Sequence, residues 1–254
     1  MITNQLYPED IEELRRAVEN KRKALKSMES FITQCPKMLE LKRKVKILEK
    51  KDCNVLITGE TGTGKELIAR GLHNGRRGRF IGINCSAMPG ELIESELFGH
   101  EKGAFTGATK ETNGLIAEAK DGTLFLDEIG DMPKMLQSKL LRVLETLSYR
   151  KVGGTEFLPV ECRIVAATWQ TTEELLRPDL YYRLATVRLH TTPLRDRIGD
   201  IALIIEDFIE KNNLSNEKTG MLEQFMNKQL LDNVLPGNVR QLLAYLEEWK
   251  VFNL

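Results

Sequence analysis

Val55-Leu56-Ile57-Thr58-Gly59-Glu60-Thr61-Gly62-Thr63-Gly64-Lys65-Glu66 is an apolar run that breaks into spaced glycines and ends on a lysine and a glutamate. Its start, from Asn54 to Thr58, reads as a short strand, and Glu66 to His73 reads as a helix. Between them Gly59 to Lys65 has the G-x-x-x-x-G-K spacing of a phosphate-binding loop. Each part has a physical task. The glycines let the backbone curl so that several N–H groups face phosphate oxygens. The helix N-terminus adds partial positive charge, and Lys65 is placed to reach the β- and γ-phosphates. The bland alternative, a glycine-rich turn with an incidental lysine, leaves the strand and helix on either side as coincidence. One position departs from the generic motif: Glu66 stands where Ser or Thr would meet magnesium.

The same alternation continues outward from the loop. Phe80 to Asn84, Thr123 to Leu126, Arg163 to Ala167 and Thr186 to Leu189 read as further strands. Near-continuous apolar strands separated by helices indicate a parallel sheet covered on both faces. The strand from Thr123 ends in Asp127-Glu128. At the C-terminal edge of a parallel sheet these carboxylates face the same crevice as the phosphate loop. Asp127 is the expected magnesium partner, through water. Glu128 is the candidate general base that orients an attacking water. A pair of surface carboxylates opening a turn is the competing reading, and the nearby phosphate loop weighs against it. After Pro193 the strands stop, and 200–212, 219–229 and 238–250 read as helices.

Charge and composition bound the rest. Lys plus Arg and Asp plus Glu both number 37 in the 254 residues, so the net charge is zero. A general nucleic-acid coat would need surplus cations, so that class is excluded. No apolar run has the length of a membrane helix, and the N-terminus carries no secretory pattern. The four cysteines lie far apart without Cys-x-x-Cys spacing, which suits free thiols in a reducing cytoplasm. Residues 1–30 hold a charged helix with Leu14, Val18, Leu25 and Met28 at helical spacing. It reads equally as a connecting helix or as a solvated packing helix. The expected division is therefore 1–30 for that helix, 31–198 for an α/β nucleotide-binding core, and 199–254 for a small helical lid.

Between the two motifs lies Gly103-Ala104-Phe105-Thr106-Gly107-Ala108. Two glycines flank an aromatic and a threonine, so an apolar tip is able to project. A core Phe105 with glycines for packing is the alternative. With this loop the chain resembles the central AAA+ domain of sigma-54-dependent transcriptional activators, also called bacterial enhancer-binding proteins. The six residues match that family's loop without a change, and the family's phosphate loop also carries glutamate after the lysine. The resemblance covers about 31–250. It implies a three-layer α/β AAA+ core with a parallel sheet, followed by an all-helical lid. It implies ATP and Mg2+ as cofactors, hydrolysis at subunit interfaces of a ring, a hexamer, and sigma-54 RNA polymerase as the partner touched by Phe105. It implies that Asn84 contacts Glu128 as a switch and that Arg177 and Arg183 reach a neighbour's nucleotide. Pro193 to Arg197 resembles the family's linker into the lid. Pro236-Gly237-Asn238-Val239-Arg240 resembles its sensor II helix, with Arg240 facing the γ-phosphate. Tyr149 to Val160, with Gly153-Gly154, resembles a second partner-facing hairpin.

The sequence departs from that family at Ala167-Thr168-Trp169-Gln170, where sensor I carries asparagine. An indole cannot accept a hydrogen bond as an amide does, which leaves Thr168 or Gln170 as substitutes. The stretch from Trp169 to Arg177 is also shorter than the family's. No helix-turn-helix segment follows the lid, so DNA binding is not expected of this chain. The leading expectation is an ATP-hydrolysing activator that remodels sigma-54 polymerase toward the open complex. The alternatives are an ATP-binding regulatory subunit with weak hydrolysis, or an AAA+ remodeller of another target.

Overall fold

A computed structural model describes residues 31–169, 175–214 and 235–253 of the chain. The expected N-terminal helix, Gln170 and the expected helix 219–229 lie outside those residues. The first element, α1 (Pro36–Leu48), starts on a proline whose missing N–H costs nothing at that position. It is followed by β1 (Val55–Thr58), α2 (Lys65–His73), β2 (Phe80–Asn84) and α3 (Gly90–Phe98). Next come β3 (Gly99–His100), β4 (Thr112–Asn113), α4 (Leu115–Glu118), β5 (Thr123–Asp127) and α5 (Lys134–Thr146). The core closes with β6 (Ser148–Tyr149), β7 (Leu158–Pro159), β8 (Arg163–Thr168), α6 (Pro178–Leu184) and β9 (Val187–His190). Among the described residues two further helices follow, α7 (Gly199–Lys211) and α8 (Asn238–Asn253), and this pair is called the lid. The five expected strands agree with β1, β2, β5, β8 and β9 to within a residue or two.

The strand order is β2-β5-β8-β1-β9, and every pairing in that sheet is parallel. Side chains alternate across the pleat. Leu56, Ile83, Leu124, Leu126, Ile164 and Ala166 point to one buried cluster, shared with α3 and α5. Val55, Ile57, Phe125, Val165 and Ala167 point to the other, shared with α1 and α2. This is the three-layer α/β arrangement, and it explains why the strands read as unbroken apolar runs. A third cluster joins Leu194, Ile205 and Phe208 to Leu242 and Leu246 and holds α7 against α8. Among the described residues no helix is long and apolar enough to cross a membrane.

Behind the sheet, Arg163 is almost fully buried. Its guanidinium donates to the carbonyls of Cys53, Leu48 and Leu72 at 3.0–3.1 Å. Leu48 and Leu72 lie at or beside the ends of α1 and α2, whose last carbonyls lack intrahelical partners. One cation thus satisfies two helix ends at the base of the sheet, far from the phosphate loop.

His73 lies nearby, with Nδ1 3.0 Å from Thr123 Oγ1 and its ring edge-on to Phe80. Burial, reinforced by Arg76, Arg70 and Arg163, pushes the imidazole down to about 4 from its ordinary 6.5. The folded state therefore holds His73 neutral where the unfolded chain would protonate it. That contribution is complete above about pH 6.5 and is lost as pH falls toward about 4, and its size is on the order of 3 kcal/mol. Urea unfolding measured from pH 7 to pH 4 should show a falling midpoint. The fall should be clearly shallower in His73→Asn.

Candidate functional site

The phosphate loop leaves the C-terminal end of β1 and enters α2 through left-handed glycines. Gly62 has φ +77° and Gly64, which precedes the helix, has φ +102°. Both values lie where a side chain strains the backbone. Lys65 is buried, and its ammonium donates to Gly59 O at 2.9 Å and Glu60 O at 3.4 Å. It also pairs with Glu128 at 3.4 Å. Thr63 Oγ1 donates to Glu60 O at 2.7 Å and meets Thr191 Oγ1 at the same distance. Glu66, the departure from the generic motif, bonds Arg70 one turn along α2. Its side chain thus forms an exposed helix pair at the edge of the cleft.

The sheet order places the acidic pair. Asp127 ends β5, in register with Asn84 at the end of β2. Burial raises the carboxyls of both Asp127 and Glu128, and Lys65 opposes the shift in each. Glu128 adopts a left-handed backbone at φ 51°, an unusual conformation for a residue with a Cβ. Its Oε2 accepts the main-chain N–H of Trp169 at 3.2 Å. Because β8 lies between β5 and β1, the residue that follows β8 sits beside the carboxylate that follows β5. Trp169 therefore meets Glu128 through its peptide while its indole is half-exposed. The expected Asn84–Glu128 contact is replaced in this structure. Asn84 Oδ1 accepts from Ser86 N and Ser86 Oγ at 2.8 and 2.7 Å, and Glu128 is engaged by Lys65 and Trp169.

Core and lid enclose a cleft of about 670 Å³. Thr61 to Glu66, Asp127, Glu128 and Arg197 line it from the core side, and Arg240 lines it from the lid. Asn238 holds the two walls together, a role that sequence reading missed. The residue is fully buried, takes φ 52°, and donates to Thr61 O and Glu60 Oε2 at 3.0 and 3.1 Å. Asparagine tolerates that backbone better than most residues, so the Gly237-Asn238 pair was the available signal. Arg195 forks onto Glu60, and the Arg195 guanidinium together with the Asn238 amide holds the Glu60 carboxyl below its usual range against partial burial.

Arg177 and Arg183 are not brought to this cleft. Arg177 bonds both oxygens of Asp179 at 3.1 and 2.8 Å and also Ser138 Oγ. Arg183 is exposed on α6.

The loop 103–108 stands apart from the cleft. Gly103 and Gly107 have φ +83° and +106°, with no neighbouring atom where a Cβ would stand. Gly103 N donates to Ala108 O at 2.8 Å and closes the loop. Phe105 is 43% exposed, with its ring edge-on to His100, so it is not a core residue. The loop's base docks on the β6–β7 hairpin. Glu101 N donates to Val152 O and Val152 N to Gly99 O. Gly153 sits so near Ala104 that a Cβ there would lie 2.8 Å from the Ala104 methyl. Lys151 and Glu111 form an ion pair across the same junction. On the hairpin, Arg150 covers the exposed Phe157 ring at 3.8 Å.

Comparison with known families matches residues 31–190 to the Sigma-54 interaction domain. The chain is 44% identical over 232 residues to the regulatory protein AtoC of Escherichia coli (strain K12), covering 88% of this chain and 50% of AtoC. It is 46% identical over 220 residues to the DNA-binding transcriptional regulator NtrC of Azospirillum brasilense, covering 84% of this chain and 46% of NtrC. The chain thus spans about half the length of these curated relatives. Among solved structures it is similar to NtrX from Brucella abortus in complex with ADP, with TM-score 0.73 and 31% identity, over 87% of this chain and 51% of NtrX. NtrX in complex with ATP superposes with the same TM-score at 29% identity, over 87% of this chain and 52% of NtrX.

The close fit of lid to loop can be tested at Gly62, where a Cβ would lie 2.1 Å from Gly237 O. Gly62→Ala should lose about 1–3 kcal/mol through backbone strain and the displaced lid. A lower urea midpoint and faster proteolysis in the 193–199 linker would show it.

Proposed function

Because the chain belongs to the sigma-54 interaction domain family, we propose that it is an ATPase motor that remodels sigma-54 RNA polymerase and promotes open-complex formation. The observation that carries this reading is the convergence of Lys65, Asp127, Glu128 and Arg240 on one cleft beside an intact phosphate loop. ATP binds with its phosphates on the loop N–H groups, and the nucleotide complexes of NtrX, a similar fold, support that assignment. Among the described residues no cluster of three His, Cys, Asp or Glu side chains could hold a metal alone. Asp127 would be the residue that holds Mg2+, largely through water, as suits an ion that keeps its waters. The ion would neutralise charge developing on the phosphates. Lys65 releases its loop carbonyls and Glu128 to meet phosphate. Glu128, with its carboxyl raised by burial, is freed to orient and polarise the attacking water.

Arg177 and Arg183 belong to the next copy's site. Arg177 immediately before α6 and Arg183 on it are both exposed and away from their own cleft, which supports action in trans. The arginine fork suits phosphate charge. Copies of the chain would form a ring, a hexamer, with Phe105 of each loop offered to sigma-54. We assign 1–30 to a connecting or signalling helix, 31–198 to the motor core and 199–254 to the lid.

Specific ATPase activity should rise with protein concentration. Arg183→Ala should lower it by about 10³-fold or more, and Glu128→Gln by about 10²–10⁴-fold. A concentration-independent rate unaffected by Arg183→Ala would sink the shared site. Trp169 at sensor I favours a second reading, a nucleotide-binding regulatory subunit, which nucleotide binding without steady turnover would support. Hydrolysis without capture of sigma-54 in ADP–aluminium fluoride would point to a remodeller of another target.

A further inference from the structure

Three successive carbonyls of the phosphate loop each receive a donor from outside the loop. Thr61 O accepts from Asn238 Nδ2 at 3.0 Å, Gly62 O from Val239 N at 3.1 Å, and Thr63 O from Arg197 Nη2 at 3.1 Å. The described peptides are all trans. In a planar trans peptide the C=O and the following N–H point in opposite directions. The carbonyls held by the lid and linker therefore belong to the same rigid planes as the N–H groups of Gly62, Thr63 and Gly64. A rotation that re-aims one of those N–H groups must also move the acceptor that the lid grips.

Asn238 suits this position chemically. Its Oδ1 accepts the N–H of Leu194 in the linker at 2.7 Å while its Nδ2 donates to Thr61 O and Glu60. A carboxamide accepts on one atom and donates two hydrogens from another, so it can serve all three partners at once. Aspartate would keep the acceptor for Leu194 and lose both donors. Arg240 stands two residues along the same helix, and its Cβ would be 3.1 Å from a Cβ on Gly62. Lid and loop are thus close enough that moving one displaces the other.

We propose that Asn238 is a positioning residue that makes the lid, and with it Arg240, follow the main-chain conformation of the phosphate loop. Its role in hydrolysis rests on the ATPase reading above, but the mechanical coupling does not. Arg197 is the second reader. Buried against Asp200 and stacked toward Phe31, it carries the position of Thr63 O into the start of α7.

The first arm of the test uses no nucleotide. Hydrogen exchange of the free protein should show Val239 N–H and the first turn of α8 exchanging ~10-fold faster in Asn238→Asp, the scale of one lost hydrogen bond. Strands β1, β5 and β8 should stay as protected as before. Unchanged exchange at Val239 in a folded N238D protein overturns the coupling, whatever the fate of the ATPase reading. The second arm measures binding of a slowly hydrolysed ATP analogue to wild type, N238D, Arg240→Ala and the double variant. N238D should weaken binding ~10-fold, and the double variant should be no weaker than R240A alone. Additive losses would mean that Asn238 does not act through Arg240. If wild type binds no nucleotide, the ATPase reading fails while the exchange result still decides the coupling. Should N238D fail to fold, Glu60→Gln, which weakens the acceptor that shares Nδ2, must speed Val239 exchange by a smaller factor or the coupling is overturned.

Discussion

A phosphate-binding loop cannot turn its peptide N–H groups inward without turning carbonyls outward. Those carbonyls need donors wherever water is excluded. In this protein the donors come from Asn238, Val239 and Arg197, residues of the lid and of the linker into it. The lid is thus seated by the loop's own backbone as much as by its apolar cluster around Ile205 and Leu242. That seating brings Arg240 to the cleft wall. It also demands glycine at 62, where the Gly237 carbonyl leaves no room for a side chain.

Sheet order does the same for the chemistry. With β8 inserted between β5 and β1, the turns after these three strands meet at one edge. Lys65, Glu128 and the peptide of Trp169 then fall into contact although more than a hundred residues separate the first from the last. Trp169 meets Glu128 through its main-chain N–H, a donor common to every residue but proline. Away from the cleft, the loop carrying Phe105 is braced by the β6–β7 hairpin through Val152, Gly153 and Lys151. Two exposed rings, Phe105 and Phe157, lie on this paired loop and hairpin.

Much of this was legible beforehand. The glycine spacing, the apolar strands and the pair Asp127-Glu128 are local patterns, and each announced its own element. The glycines flanking Phe105 permitted a projecting tip, while the core alternative was decided only by the exposed ring. The partner that a side chain takes was not legible, whether it lies near or far along the chain. Asn84 was expected against Glu128 but bonds Ser86 two residues away. Glu66, which stands where the generic motif has Ser or Thr, pairs with Arg70 one turn along its own helix. Asn238 passed as a spacer before Arg240, since nothing local reveals that its amide spans from Leu194 to Thr61.

The sequence by itself determined the strands, the phosphate loop, the acidic pair and the family, because periodicity and motif spacing are set by covalent neighbours. Only the tertiary structure decided which groups touch. Sheet order brought Trp169 to Glu128, and burial raised the acidic pair. The outward carbonyls of a rigid loop settled where the lid would rest, since a buried acceptor takes whichever donor the fold delivers.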